Sequence, residues 1–83
     1  MGRGRREIPR RLGEKLKKIR LNLGIETYEE MISRIDRPEM SLYPSSIYLF
    51  EQGEREPLLA VLLRYARLGK IPVEVLIDDD LDY

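Results

Sequence analysis

The fold is decided by the stretch Ser46-Ile47-Tyr48-Leu49-Phe50-Glu51-Gln52-Gly53-Glu54-Arg55-Glu56-Pro57. Ile47 and Phe50 stand three apart, so on a helix both point to one side and into a core. Gly53 follows where a helix needs a left-handed residue to close its last turn. Glu54-Arg55-Glu56 makes a short charged link, and Pro57 is suited to open another helix. Upstream, Pro44 is favoured at a first helical position, which predicts a helix from Pro44 to Gln52.

Working outward, the same logic places four more helices. Before Pro44, residues 37–43 have the composition of a loop. Ahead of that loop, Thr27 and Glu30 form a T-x-x-E capping box, with Glu29 and Glu30 suited to the positive end of a helix dipole. Met31, Ile32 and Ile35 then face the core, and Asp36-Arg37-Pro38 ends the helix because Pro38 disfavours helical backbone at Arg37. Earlier still, Leu12, Leu16, Ile19 and Leu23 recur at spacings of four, three and four from a start near Pro9, and Gly24 caps the end. Arg11, Lys15, Lys17 and Lys18 fall mainly on the opposite side. After Pro57, a stripe of Leu59, Leu62, Leu63 and Ala66 predicts a fourth helix loosened at Gly69 and Lys70. Pro72 starts a short fifth helix carrying Val73, Leu76 and Ile77. The one strand candidate, from Ile71 to Ile77, is interrupted by Pro72. Fold class is therefore all-α: a compact five-helix domain over residues 9–77, preceded by a flexible basic arm at 1–8 and followed by an acidic tail at 78–83.

Charge is segregated along the chain. Residues 1–20 hold nine basic and two acidic side chains; residues 21–83 hold six basic and thirteen acidic. Net charge is zero, yet binding responds to the field within a Debye length of roughly 8 Å, so the two ends can face different partners. Asp78, Asp79, Asp80 and Asp82 read as a solvated, frayed tail, since adjacent carboxylates on a chain end lack the fixed cage of a cation site.

Several functions are excluded by what is missing. No cysteine or histidine occurs, which removes disulfides, Cys/His zinc sites and the Ser-His and Cys-His nucleophilic systems. No Gly-rich phosphate loop or metal-ligand spacing is present, so neither enzyme activity nor a cofactor or metal is expected. No run of about 18 apolar residues is available to span a membrane. The basic start lacks the apolar stretch of a signal peptide, which points to a cytoplasmic protein.

The ordered set of motifs resembles the lambda-repressor-like, Cro/CI-type helix-turn-helix family, also called the xenobiotic-response-element family. Ser46 to Pro57 looks like its pattern of Ile, two variable residues, an apolar residue, Glu, any, Gly, any, Arg, any, Pro. Ile19-Arg20 with Leu23-Gly24-Ile25, and Thr27 to Met31, are similar to the end of its first helix and the start of its second. Leu62 to Ala66 and Ile71 to Leu76 are similar to its last two, and the likeness spans roughly residues 12–77. The chain departs from the pattern in three ways. The connection between Ile35 and Ile47 exceeds the usual three- or four-residue turn by about five residues. Tyr28 stands where a Gln is common. The third helix offers no Arg or Lys outward, so the bidentate Arg-to-guanine contact is ruled out there.

The resemblance implies a sequence-specific transcriptional regulator that binds double-stranded DNA through the major groove, as a homodimer on two half-sites. Ser45, Ser46, Tyr48, Leu49 and Gln52 are then the candidates for base contact; Gln52 suits adenine, and Tyr48 and Leu49 a thymine methyl. Phosphate contacts fall to helix N-termini and cations: Arg10, Arg11, Lys15, Thr27, Tyr28 and Arg55. Arg3, Arg5 and Arg6 make an arm of the kind that enters a minor groove. Arg20 and Glu51, each interrupting an apolar face, are implied to form a structural salt bridge between the first and third helices. Leu58, Val61, Val73 and Val75 are surplus apolar positions for a dimer interface. A neutral total charge and an uncharged third helix also suit a protein-interaction module or antitoxin-like component, which would bind a protein partner instead.

Overall fold

The computed structural model describes residues 7–35 and 41–83. Its five helices are α1 (Leu12–Asn22), α2 (Tyr28–Ile35), α3 (Pro44–Glu51), α4 (Leu59–Gly69) and α5 (Val73–Ile77), and no strand occurs among the described residues. The domain is all-α. The arm residues Arg3, Arg5 and Arg6, and the Asp36-Arg37-Pro38 stop, lie outside the described residues.

Three helices end in the same way, and each ending fixes where the next segment departs. A left-handed residue follows the helix: Gly24 at φ 76°, Gly53 at φ 75° and Lys70 at φ 59°. The next residue then donates its N–H back to a carbonyl five positions earlier: Ile25 to Arg20, Glu54 to Leu49 and Ile71 to Ala66, all at 3.0–3.1 Å. Gly24 and Gly53 are the expected caps. At the end of α4, where the sequence predicts loosening at Gly69 and Lys70, Gly69 stays helical and Lys70 takes the left-handed position. At the head of α2, Thr27 Oγ1 accepts the Glu30 N–H at 3.1 Å.

The core joins all five helices. Leu12, Leu16 and Ile19 from α1 meet Ile25, Met31 and Ile35, then Ile47 and Phe50 from α3, Val61, Leu62, Tyr65 and Ala66 from α4, and Leu76 from α5. α3 packs against both α1 and α2, while α4 and α5 close the other side of α1. Arg64 of α4 donates through Nε to the Ile35 carbonyl at 2.9 Å, tying the last residue of α2 to α4.

The buried stripe of α4 corrects the expectation. Leu59 is 74 % exposed and Leu63 is also outside, whereas Val61 and Tyr65 are buried beside Leu62 and Ala66. Both stripes obey the helical period, and they share Leu62 and Ala66. Tyr65 settles the rotation, since turning the helix to bury Leu59 and Leu63 would swing its large ring out of the core. Val61 is thus core and not surplus.

Gly13 marks a close approach of two helices. A Cβ built on it would lie 2.5 Å from the Glu51 carbonyl oxygen and 3.0 Å from the Phe50 carbonyl oxygen. The bare backbone of α1 therefore rests directly on the last turn of α3.

Candidate nucleic-acid interface

Arg20 and Glu51 face each other where α1 crosses α3. Arg20 Nε donates to Glu51 Oε2 at 2.7 Å and Nη2 donates to Oε1 at 3.1 Å, a bidentate pair. Nη1 donates to the Ile25 carbonyl at 3.0 Å. The two side chains are only 7 % and 2 % exposed. The carboxylate raises the guanidinium pKa, mainly by accepting its hydrogen bonds. Burial pushes the nearby Tyr65 phenol above its ordinary value, with Glu51 adding and Arg20 opposing. The Tyr65 hydroxyl has no protein hydrogen-bond partner among the described residues.

The pair also organises an aromatic cluster on the outer side. The Arg20 guanidinium carbon sits 5.1 Å from the centre of the Tyr28 ring, within cation–π range. Tyr28 in turn stands 6.4 Å from Tyr48, tilted by 60°. One buried cation thereby orients the first residue of α2 relative to the middle of α3.

Around that cluster, the candidate base-reading residues divide. Ser45, Tyr48 and Gln52 are exposed on one face of α3, and Leu49 is half-buried. Ser46 is buried, a correction to its expected outward position. Its Oγ accepts the Tyr43 N–H at 3.2 Å, so the hydroxyl closes the first turn of α3 from inside. Tyr43, which no sequence signal singled out, is instead exposed at the head of the helix.

The candidate phosphate-binding residues divide as well. Thr27 and Arg55 are exposed, and Tyr28 is half-buried over Arg20. Lys15 is only 2 % exposed, which corrects its expected place on the solvent side of the first helix. Its Nζ donates to the carbonyls of Val75 at 2.8 Å and Asp78 at 3.0 Å. The aliphatic stem packs inside while the ammonium group satisfies the C-terminal carbonyls of α5.

Arg10 and Arg11 are engaged by the 78–83 segment, which was expected to be frayed. The main-chain N–H groups of Arg10 and Arg11 donate to the two Asp79 carboxylate oxygens, each at 2.9 Å. Arg11 Nη1 reaches the Asp79 carbonyl at 2.8 Å, and Nη2 reaches Asp82 Oδ1 at 2.7 Å. Lys18 donates to the Tyr83 main-chain oxygen at 2.6 Å and lies 5.6 Å from that ring's centre. The α1 N-terminus has no capping side chain of its own, and Asp79 supplies one from the far end of the sequence. Acidic residues that look solvated in isolation become ordered because unpaired N–H groups and cations await them.

This docking predicts an acid response. Asp79 is held below the ordinary carboxyl value of 3.8, chiefly by the Arg11 and Arg10 N–H groups. Asp82 is held below the same value, chiefly by the Arg11 side chain. Lys15 adds to both effects, Lys18 adds to that on Asp82, and Glu14 shares Arg11 at 3.8 Å. Both folded-state values are depressed, so the stabilisation is complete above pH 3.8 and is lost as pH falls through the folded values. Amide resonances of Arg10 and Arg11 are expected to hold steady from pH 7 to about 4 and to move together below it. Movement near pH 6 would contradict the assignment.

Among the described residues, no helix is long and apolar enough to cross a membrane, and no group of three or more acidic side chains is arranged to hold a metal ion. No family model matches this chain, and no curated protein or solved structure matches it.

Proposed function

We propose that this domain is a sequence-specific DNA-binding transcriptional regulator that inserts α3 into the major groove and acts as a homodimer. One observation carries the reading: α2 and α3 form a packed pair, the buried Arg20–Glu51 bridge ties α3 to α1, and α3 turns Ser45, Tyr48 and Gln52 to solvent on one face. A groove-reading helix needs this combination of a fixed angle and an exposed polar face. Thr27 and the N–H groups at the head of α2 are suited to a phosphate, and Arg55 sits just beyond α3. The dimer surface is assigned to Leu58, Leu59, Leu63 and Ile77, large apolar residues left exposed at α4 and α5. Leu59 and Ile77 also line a depression of about 200 Å³ with Leu62, Pro9, Glu7 and Glu56.

The test is an anisotropy titration on a library of genomic duplexes at several salt concentrations. Specific retention with a clear salt slope is expected. Gln52→Ala is expected to weaken the selected site by about 1–3 kcal/mol while leaving binding to random duplex nearly unchanged, as loss of one bidentate base contact would. No binding below about 0.1 mM at low salt would reject the reading, because even non-specific binding normally lies in the range of about 1–100 μM.

A second reading is favoured by charge. Glu26, Glu29 and Glu30 are exposed around the head of α2, beside an α3 face that carries no cation. That combination suits a basic protein partner, as in an antitoxin-like component. Stable co-purification through this face without DNA retention would support it over the first.

A further inference from the structure

The outer row of α4 is self-complementary in charge. Leu59, Leu63 and Arg67 follow one another at four-residue spacing and are all exposed, so they form one row along the helix. At the N-terminal end of that row, Leu59 and Glu56 line one depression together with Leu62, Ile77, Pro9 and Glu7. The row is therefore acidic before its leucines and basic after them. Glu56 stands three residues before Leu59, and Arg67 stands four residues after Leu63. A second copy laid antiparallel, with Leu59 of each copy on Leu63 of the other, brings Arg67 of each opposite Glu56 of the other. A two-fold axis between the leucines makes every contact twice, as a self-complementary interface requires.

We propose, resting on the dimer assignment above, that two copies of this chain pair through antiparallel α4 helices and that Arg67 of each copy enters the other's depression. The chemistry of the depression fits that side chain. Its apolar lining of Leu59, Leu62, Ile77 and Pro9 accommodates an aliphatic stem, and its two carboxylates, Glu7 and Glu56, receive a guanidinium. Arg64, the other arginine in the middle of α4, donates instead to the Ile35 carbonyl within its own chain. The apolar contact sets the affinity, while the paired charges set direction and register, because a parallel pairing would oppose Glu56 to Glu56 and Arg67 to Arg67. Both charges border solvent, so salt weakens the association.

The experiment is sedimentation equilibrium of the full chain from about 1 μM to 1 mM, at low and at high salt. Glu56→Arg and Arg67→Glu are each expected to weaken self-association about tenfold, since each places like charges opposite one another twice per dimer. Arg67→Gln, which removes a charge at an exposed site, is expected to weaken it about threefold. The deciding arm mixes Glu56→Arg with Arg67→Glu. In that mixture each reversed charge meets an opposite one across the antiparallel interface, so association should return to within about threefold of wild type. Recovery on mixing also excludes misfolding as the cause of the single-variant losses. Glu26→Arg mixed with Lys17→Glu carries the same charges at exposed positions outside the row and the depression, and is expected to match wild type. Wild-type association that Leu63→Ala weakens, but that the charge reversals leave unchanged or mixing fails to restore, would overturn the antiparallel register and leave the dimer surface standing. A wild type that stays monomeric up to about 1 mM at low salt would overturn both.

Discussion

Replacing Arg20 with alanine is expected to cost roughly 3–5 kcal/mol, the largest loss of any single side chain outside the apolar core. The reason is the carboxylate left behind. Glu51 is almost fully buried and receives two hydrogen bonds from Arg20. Without them, a negative charge remains where water reaches poorly, and the Ile25 carbonyl also loses its donor. At about 4–8 °C per kcal/mol for a domain of this size, the melting temperature should drop by at least 12 °C or so. The double replacement Arg20→Met/Glu51→Leu should recover most of that loss, because no orphaned charge is left in the interior. On the proposed reading it should not recover DNA binding, since Tyr28 loses the cation that orients it toward Tyr48. A melt of Arg20→Ala within about 1 kcal/mol of wild type would show the pair to be much more weakly coupled than its burial implies.

Gly13→Ala is the second large effect, and its sign separates two physical accounts. By helix propensity alone, alanine within α1 stabilises by about 1 kcal/mol. By geometry, the new methyl group meets the Glu51 carbonyl oxygen at 2.5 Å and the Glu51 carbonyl carbon at 3.0 Å. These are backbone atoms in the last turn of α3, so neither yields by rotating a side chain. Overpacking of this kind costs about 1–3 kcal/mol or more, and we expect a net loss of about 2 kcal/mol with α3 pushed away from α1. Gly69→Ala serves as the contrast, because its methyl group meets the tip of Ile19 at 3.1 Å, where a flexible side chain can shift. Urea denaturation of both variants checks the pair of expectations. A stabilised Gly13→Ala would mean that the two helices do not approach as closely as described.

The DNA-reading assignment and the dimer surface place different demands on the same small domain. On the proposed reading α3 must hold its angle to within what a groove tolerates, and Gly13, Arg20 and Glu51 all act at that one crossing. Leu59 and Leu63 of α4 are left outside, where the proposed dimer would use them, because Tyr65 has taken the inward position. A substitution at Leu59 should therefore alter association more than folding, whereas one at Tyr65 should do the reverse.

Much of the architecture follows from local chemistry that a sequence displays. Gly24, Gly53, Thr27 and Pro44 mark helix ends because capping depends on a few neighbouring residues. The inward positions of Ile47, Phe50, Met31 and Ile35 follow from spacing, while the pairing of Arg20 with Glu51, two charges set in apolar faces, was implied by the family resemblance. Tertiary structure decided the rest, wherever one segment met another far away in the chain. The leucine-rich α4 offered two equally periodic faces, and only the room for Tyr65 chose between them. Lys15 looked like a surface cation until the C-terminal carbonyls of α5 came within reach of its ammonium group. Ser46 turned inward because the Tyr43 N–H needed an acceptor. The acidic residues after α5 carried no local sign of order, and it was the uncapped N-terminus of α1, 68 positions from Asp79, that gave them a place to dock.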